Sequence, residues 1–244
     1  MHAFGQILRT ETKLYLRDLP TLLLTILLPA GILMVLGLVP SFREPDPNFG
    51  GQSFLTYFTP SLLVASVAMV GVNVLPSVLA TYRERGILRR LATTPASPAA
   101  LLVAQLVLAL AGILTSAVLL ALVARFAFGS PLPQHPWGFA AALVLGTAAL
   151  LALGLVIAAV AGTGRSAQAM SVPLFMVVMF FGGVYLPRFL LPDVLADLGA
   201  YLPPGVQALL DAWTGTAPEP LHLGIMAAIA LTAGTVAARL FRWQ

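Results

Sequence analysis

Hydrophobic residues in this chain run in long blocks, and polar residues are confined to short stretches between them. Six blocks approach or exceed the ~20 residues a helix needs to cross the hydrocarbon core of a bilayer. They are roughly Leu19–Val39, Thr56–Leu79, Ala99–Val123, Trp137–Ala161, Ala169–Tyr185 and Leu221–Leu240. An ionised side chain at mid-bilayer costs ~3 kcal/mol or more, so the Arg and Asp positions mark where spans stop. The pattern predicts an all-α integral membrane protein of six transmembrane helices, a single domain over residues 1–244.

Two stretches depart from the block pattern. In residues 1–18, Arg9, Lys13 and Arg17 fall on one face of a helical wheel, and Phe4, Ile7, Leu8, Leu14 and Tyr15 on the other. This predicts an amphipathic helix in the membrane interface. Glu11 breaks the pattern by sitting on the apolar side. The stretch Leu186–Pro220 is apolar enough to suggest a seventh span. However, it holds Arg188, Asp193, Asp197, Asp211 and six prolines. It reads instead as an outer loop with two short helices, near Pro192–Ala200 and Pro204–Trp213, each begun by a proline as helix starts allow.

Composition agrees with the block pattern. The chain of 244 residues is 59% hydrophobic and 9% charged, with mean hydropathy +0.95. Soluble domains carry about 25% charged residues, so this chain cannot cover a globular surface with charge. There is no Cys, hence no disulfide framework or thiolate metal site. Twelve Arg against one Lys, with heavy Ala and Leu usage, suggests a GC-rich bacterial genome. The first apolar block ends in Pro40-Ser41-Phe42-Arg43 rather than a small-residue cleavage site, which argues against a secretory signal.

Charge sets the orientation. With both termini inside, ten of the 13 basic residues lie on the cytoplasmic side and only Arg43, Arg125 and Arg188 outside. This is the positive-inside bias. It accounts for the net charge of +4 without a nucleic-acid partner. The densest charge is Tyr82-Arg83-Glu84-Arg85-Gly86-Ile87-Leu88-Arg89-Arg90-Leu91-Ala92-Thr93-Thr94, followed by Pro95. A short helix over Tyr82–Ala92 is predicted there. One role is a topology determinant held inside by its charge; the other is a docking helix for a cytoplasmic protein.

Inside the spans the chemistry is sparse. No span carries a mid-membrane ionisable residue, which argues against an ion-coupled carrier. No Gly-x-x-x-x-Gly-Lys-Ser/Thr sequence occurs, so the chain has no Walker-type nucleotide site. His2, His135 and His222 lack metal-ligand spacing, and no metal site is expected. Ala142, Gly146, Gly154, Ala158 and Gly162 permit close helix packing in the fourth span. Pro29 and Pro173 can kink their helices. Asn73 is the most polar mid-span residue, suited to an interhelical hydrogen bond or a substrate path. Phe175, Met176, Met179, Phe180 and Phe181 make an adaptable greasy face in the fifth span.

The order of these parts resembles the permease subunit of an ABC-2 type exporter, the class that includes bacterial drug-resistance and polyketide-export permeases. The resemblance covers nearly the whole chain. Its specific parts are Glu84-Arg85-Gly86-Ile87-Leu88-Arg89-Arg90-Leu91 with Thr94-Pro95, and the turn Gly182-Gly183-Val184-Tyr185-Leu186-Pro187. The family often has Thr after the loop glycine; Ile87 stands here.

The resemblance implies a fold with an N-terminal connecting helix (1–18), a cytoplasmic coupling helix (82–94) and an extracellular re-entrant helix pair (186–220). It implies a bacterial cytoplasmic-membrane exporter of amphipathic drugs, antibiotics or lipids, built as a homo- or heterodimer of permeases. Two separate ATPase subunits, which alone would bind ATP and magnesium, supply the power. Arg83, Glu84, Arg85, Gly86, Arg89 and Arg90 would couple to the ATPase, with Glu84 pairing a basic residue there. The hydrophobic substrate would pass between spans 2 and 5, with Asn73, Met176, Met179 and Phe180 lining the path. A reading from another class is a structural or regulatory membrane protein whose basic loop binds anionic lipid.

Overall fold

The computed structural model describes residues 2–49, 51–93, 97–186 and 190–240. Its helices are α1 (His2–Arg17), α2 (Leu19–Leu36), α3 (Phe54–Glu84), α4 (Ile87–Ala92), α5 (Ala99–Ala127), α6 (Pro136–Val160), α7 (Gly164–Phe181), α8 (Asp193–Ala200), α9 (Val206–Thr214) and α10 (Pro220–Leu240). Six of these (α2, α3, α5, α6, α7 and α10) are long and apolar enough to cross a membrane. The protein is an all-α integral membrane protein. A two-residue antiparallel ladder, β1 (Pro45–Asp46) with β2 (Gln52–Ser53), closes the α2–α3 connection.

Local chemistry explains where the helices begin. Ser53 Oγ accepts from the Thr56 amide at 3.3 Å at the start of α3. His135 Nδ1 accepts from the Gly138 amide at 3.0 Å at the start of α6, just before Pro136. Thr163 and Ser166 form a reciprocal capping box at the start of α7. That box corrects the fifth predicted span: the helix starts five residues earlier than Ala169, and Gly182 and Gly183 (φ +73°) end it at Phe181. The second span is also longer than predicted, because α3 continues unbroken from Phe54 to Glu84.

Two prolines are accommodated by widening the helix. Pro29 and Pro76 each follow a π-helical stretch, Leu23–Leu27 in α2 and Met69–Val74 in α3. A proline removes one amide donor and its ring crowds the carbonyl four residues back. A π turn makes room at that carbonyl. Pro173 sits inside α7 without such a stretch.

α6 is the centre of the bundle. α10 packs along it, and α9, the widened part of α3 and the last part of α3 also lie against it. Its small residues permit this. A Cβ on Gly154 would stand 1.9 Å from the Gly71 carbonyl oxygen, so α3 and α6 cross backbone to backbone there. A Cβ on Gly146 would stand 2.1 Å from the Pro204 carbonyl oxygen. Gly146 lies ten residues into α6, about 15 Å along its axis at 1.5 Å per residue. The α8–α9 turn therefore reaches deep alongside α6. From there α9 returns to the helix start, where the Gln134 and His135 amides donate to the Trp213 and Ala212 carbonyls at 3.3 and 2.9 Å. Trp213 is fully buried and stacks edge-on against Phe139 at 5.5 Å. Both short helices expected between the fifth and sixth spans are present, starting one or two residues later than expected.

The two ends of the bundle differ in charge. Among the described residues, the end with α1 and α4 carries nine basic and three acidic residues, and the opposite end two basic and six acidic.

Candidate functional site

At the basic end, the last turn of α3 carries Tyr82, Arg83 and Glu84. Arg85 follows as its cap, and Gly86 turns the chain at φ +68°, a conformation glycine adopts without a Cβ penalty. The Gly86 amide donates to the Arg83 carbonyl at 2.9 Å. The single helix expected over Tyr82–Ala92 is therefore two pieces: the end of α3, and the six-residue α4. Thr94 and Pro95 lie outside the described residues. Leu88 anchors α4 in the core at 3% exposure, with Ile87 and Leu91 half-buried beside it. Arg85, Arg89 and Arg90 are exposed. Arg89 and Arg90 occupy the last turn of α4, where cations favour the carbonyl end of the helix dipole.

Arg83 turns the other way, half-buried against α6, while Glu84 stays exposed and reaches across to the start of α7. The Arg83 guanidinium donates to the carbonyls of Ala158, Ala159 and Ala161, at 2.9, 3.2 and 3.0 Å. These lie at the end of α6, where helical carbonyls lack an intrahelical donor. Glu84 Oε2 accepts from the Gly164 amide at 3.0 Å, at the first residue of α7. Each charge thus meets the favourable pole of a helix dipole, a cation at a C-terminus and an anion at an N-terminus. Hydrogen bonds to charged groups contribute about 1.5–3 kcal/mol each where they are buried, and the exposed Glu84 contact is on the capping scale of about 1 kcal/mol. Two adjacent residues so pin the α6–α7 turn to the end of α3. Gly164 itself lies against Thr81: a Cβ there would be 2.2 Å from Thr81 Oγ1.

α1 joins the same corner. Its apolar face packs on α5, with Arg9, Lys13 and Arg17 exposed. Glu11 is 9% exposed, and its Oε2 accepts from the Tyr82 hydroxyl at 2.8 Å and from Gln105 Nε2 at 2.6 Å. The residue that breaks the amphipathic pattern therefore ties α1 to the helices on both sides of α4. Nothing in the sequence paired it with Tyr82 or Gln105, 71 and 94 positions away. Nearby, burial pushes the Tyr15 hydroxyl above its ordinary pKa.

The residues expected along a substrate path stand on α3 and α7. α3 and α7 do pack together, and Asn73 lies in the π-helical stretch of α3. Asn73 is buried, with Nδ2 3.8 Å from Met69 Sδ. Met179 is buried as well, whereas Met176 is 54% exposed. Phe180 is half-buried, edge-on to Phe181 at 5.2 Å. Met176 and Met179, three positions apart and so neighbours on one side of α7, differ in burial. Among the described residues no group of three His, Cys, Asp or Glu is placed to hold a metal.

The corner formed by α1, α3, α4 and α5 lies wholly within a family match. The family model of the ABC-2 type transporter matches residues 2–208. The chain belongs to the ABC-2 type transporter family. It is a multi-pass membrane permease component of an ABC transporter, and the ATPase activity lies in a partner subunit. Comparison with curated proteins gives no match. The matched region runs from α1 into α9, so most of α9 and all of α10 lie beyond it.

Proposed function

We propose that this permease exports amphipathic small molecules across a bacterial cytoplasmic membrane. It works as a dimer of permeases driven by two ATP-binding subunits seated on α4. Both termini and α4 face the cytoplasm. The observation that carries this reading is the division of labour at the basic corner. Arg85, Arg89 and Arg90 present an exposed cationic surface, while Tyr82, Arg83 and Glu84 fasten the adjoining helix to α1, α6 and α7, and through Glu11 to α5. A push on α4 therefore reaches four other helices through short polar contacts. Glu84 and Arg83 act as positioning residues, and docking falls to the outward arginines. α8 and α9, with their connecting turn beside Gly146, act as a re-entrant gate on the extracellular side. The substrate path between α3 and α7 includes Asn73 and Met179 from within the bundle, and Met176 and Phe180 where the second permease copy covers α7.

The topology is tested by single cysteines in this Cys-free chain. Cysteines replacing Pro47, Pro133 and Asp197 are expected to react with an impermeant thiol reagent in intact cells, and one replacing Arg90 only after permeabilisation. Labelling at position 90 in intact cells would remove α4 from the reach of a cytoplasmic ATPase and overturn the reading.

A further inference from the structure

A cavity of about 110 Å³ lies where α1 and α2 meet α3 and α5 at the basic end. Its wall is divided by polarity. Glu11, Tyr15, Asp18, Thr21, Tyr82 and Gln105 supply the polar part. Val70, Val74, Leu75, Val78, Leu108 and Ala109 are among those supplying the apolar part. Both charged groups on the wall are acids, although this end of the protein is strongly basic. Among the described residues neither carboxylate pairs with a Lys or Arg. Asp18 binds the Thr21 amide and hydroxyl at the start of α2. On Glu11 both hydrogen bonds fall on Oε2, and Oε1 takes none. The Tyr15 hydroxyl is buried against Gly112 without a well-formed hydrogen bond.

A carboxylate nine-tenths buried beside apolar walls is costly unless an opposite charge meets it. The bundle supplies two donors to Glu11 but no cation, while leaving an oxygen open beside an apolar space. We propose that this cavity takes the head of an amphipathic cation, an ammonium or similar group on a hydrocarbon or aromatic body. The cation sits against Glu11 and Asp18, and its body against the valines and leucines of α3 and α5. This rests on the permease reading and narrows its substrate class to cationic amphiphiles received at the basic end. Because Glu11 also holds Tyr82, an occupant contacts the element that leads to α4.

The probe is benzyltrimethylammonium, compared with neopentylbenzene, its neutral isostere with carbon in place of nitrogen. Binding is measured calorimetrically on the full chain in phosphatidylcholine nanodiscs, with and without phosphatidylethanolamine. Glu11→Gln can keep an oxygen that accepts from Tyr82 and Gln105, while it removes the charge and replaces the open oxygen with an amide donor. It is expected to weaken the cation at least tenfold and leave the isostere unchanged. Ala109→Leu, which fills the apolar side, is expected to weaken both. Competition by phosphatidylethanolamine identifies a lipid ammonium as the occupant; its absence identifies a free amphiphile. Equal affinity for cation and isostere, or an unchanged cation affinity in Glu11→Gln, overturns the site.

ATP-driven flux with the partner ATPase separates the two readings. Flux of neutral amphiphiles without cation binding overturns the site and keeps the permease reading. Cation binding without ATP-driven flux of any amphiphile overturns both the permease reading and the site's role in transport.

Discussion

The two ends of this bundle are built on different principles. At the basic end the connections are short, and the contacts that matter are charged side chains bound to backbone or to neutral polar side chains. Arg83 and Glu84 meet the ends of α6 and α7, and Glu11 meets Tyr82 and Gln105. At the opposite end the chain makes a long excursion between α7 and α10, held chiefly by packing. There α9 is sunk in the core, with Leu209 and Trp213 essentially unexposed, whereas α8 lies open, with Val194 71% and Leu198 55% exposed. Polar bonds to helix ends fix direction and register. Packing of small separate helices leaves pieces that can shift one at a time. The basic end is suited to receive force without yielding, and the opposite end to change shape.

Substitutions test this contrast, beginning with the contact both ends depend on. Gly154→Val would drive a side chain into the Gly71 carbonyl of α3, where a Cβ already stands at 1.9 Å and the obstacle is backbone. Overpacking costs about 1–3 kcal/mol even where side chains can yield. The expected outcome is loss of folded permease from the membrane, read as loss of the monodisperse peak in detergent. Normal yield would show that α3 and α6 are not locked at their crossing.

The next effect is expected to be selective. Glu84→Ala removes the acceptor for the Gly164 amide, a capping-type loss of about 1 kcal/mol. Arg89→Glu reverses one exposed charge. If the corner divides positioning from docking, Glu84→Ala retains ATPase co-purification and loses most transport. Arg89→Glu weakens ATPase binding about tenfold or more, the 1.4 kcal/mol scale of a lost interfacial charge contact. Both variants are expected to reach the membrane at normal levels. Loss of co-purification in Glu84→Ala would place that carboxylate at the ATPase surface and erase the distinction.

The smallest change is expected on α8. Val194→Ala trims an exposed side chain, and such changes generally stay within 0.5 kcal/mol. Thermal unfolding should be unmoved, while Leu209→Ala in buried α9 should lower the midpoint clearly, by a cavity cost of about 2–5 kcal/mol. Equal shifts would mean that α8 and α9 act as one packed unit.

Much of this architecture was legible in the order of residues. Apolar block length found six spans, and prolines among acids found α8 and α9 rather than a seventh span. The small residues of α6 announced close packing, and Gly146 and Gly154 provide it. What escaped was direction. The loop arginines look alike in sequence, yet Arg83 is half-buried against α6 while Arg85, two positions on at the end of α3, and Arg89 and Arg90, beyond the Gly86 turn, are exposed. The partners of Arg83 and Glu84 are backbone groups 75 to 80 positions away. No side-chain pattern marks a free carbonyl or amide at a helix end. Glu11 did carry a signal, a charge on the wrong face of its helix, but one misplaced acid does not name its partners. Met176 and Met179 show the limit of composition: the same residue type three positions apart is exposed in one place and buried in the other.

The crossing of Gly71 and Gly154 also has a mechanical meaning. Gly71 lies thirteen residues from the Glu84 end of α3 and seventeen from its Phe54 end, arms of about 20 and 25 Å at helical rise. With backbone against backbone and no side chain to compress, that point can serve α3 as a fulcrum. A rod turning there moves its two tips in opposite senses, the farther one slightly more. An inward thrust on the loop would then appear as a comparable outward swing of the aromatic cluster around Phe54, on the other face of the membrane.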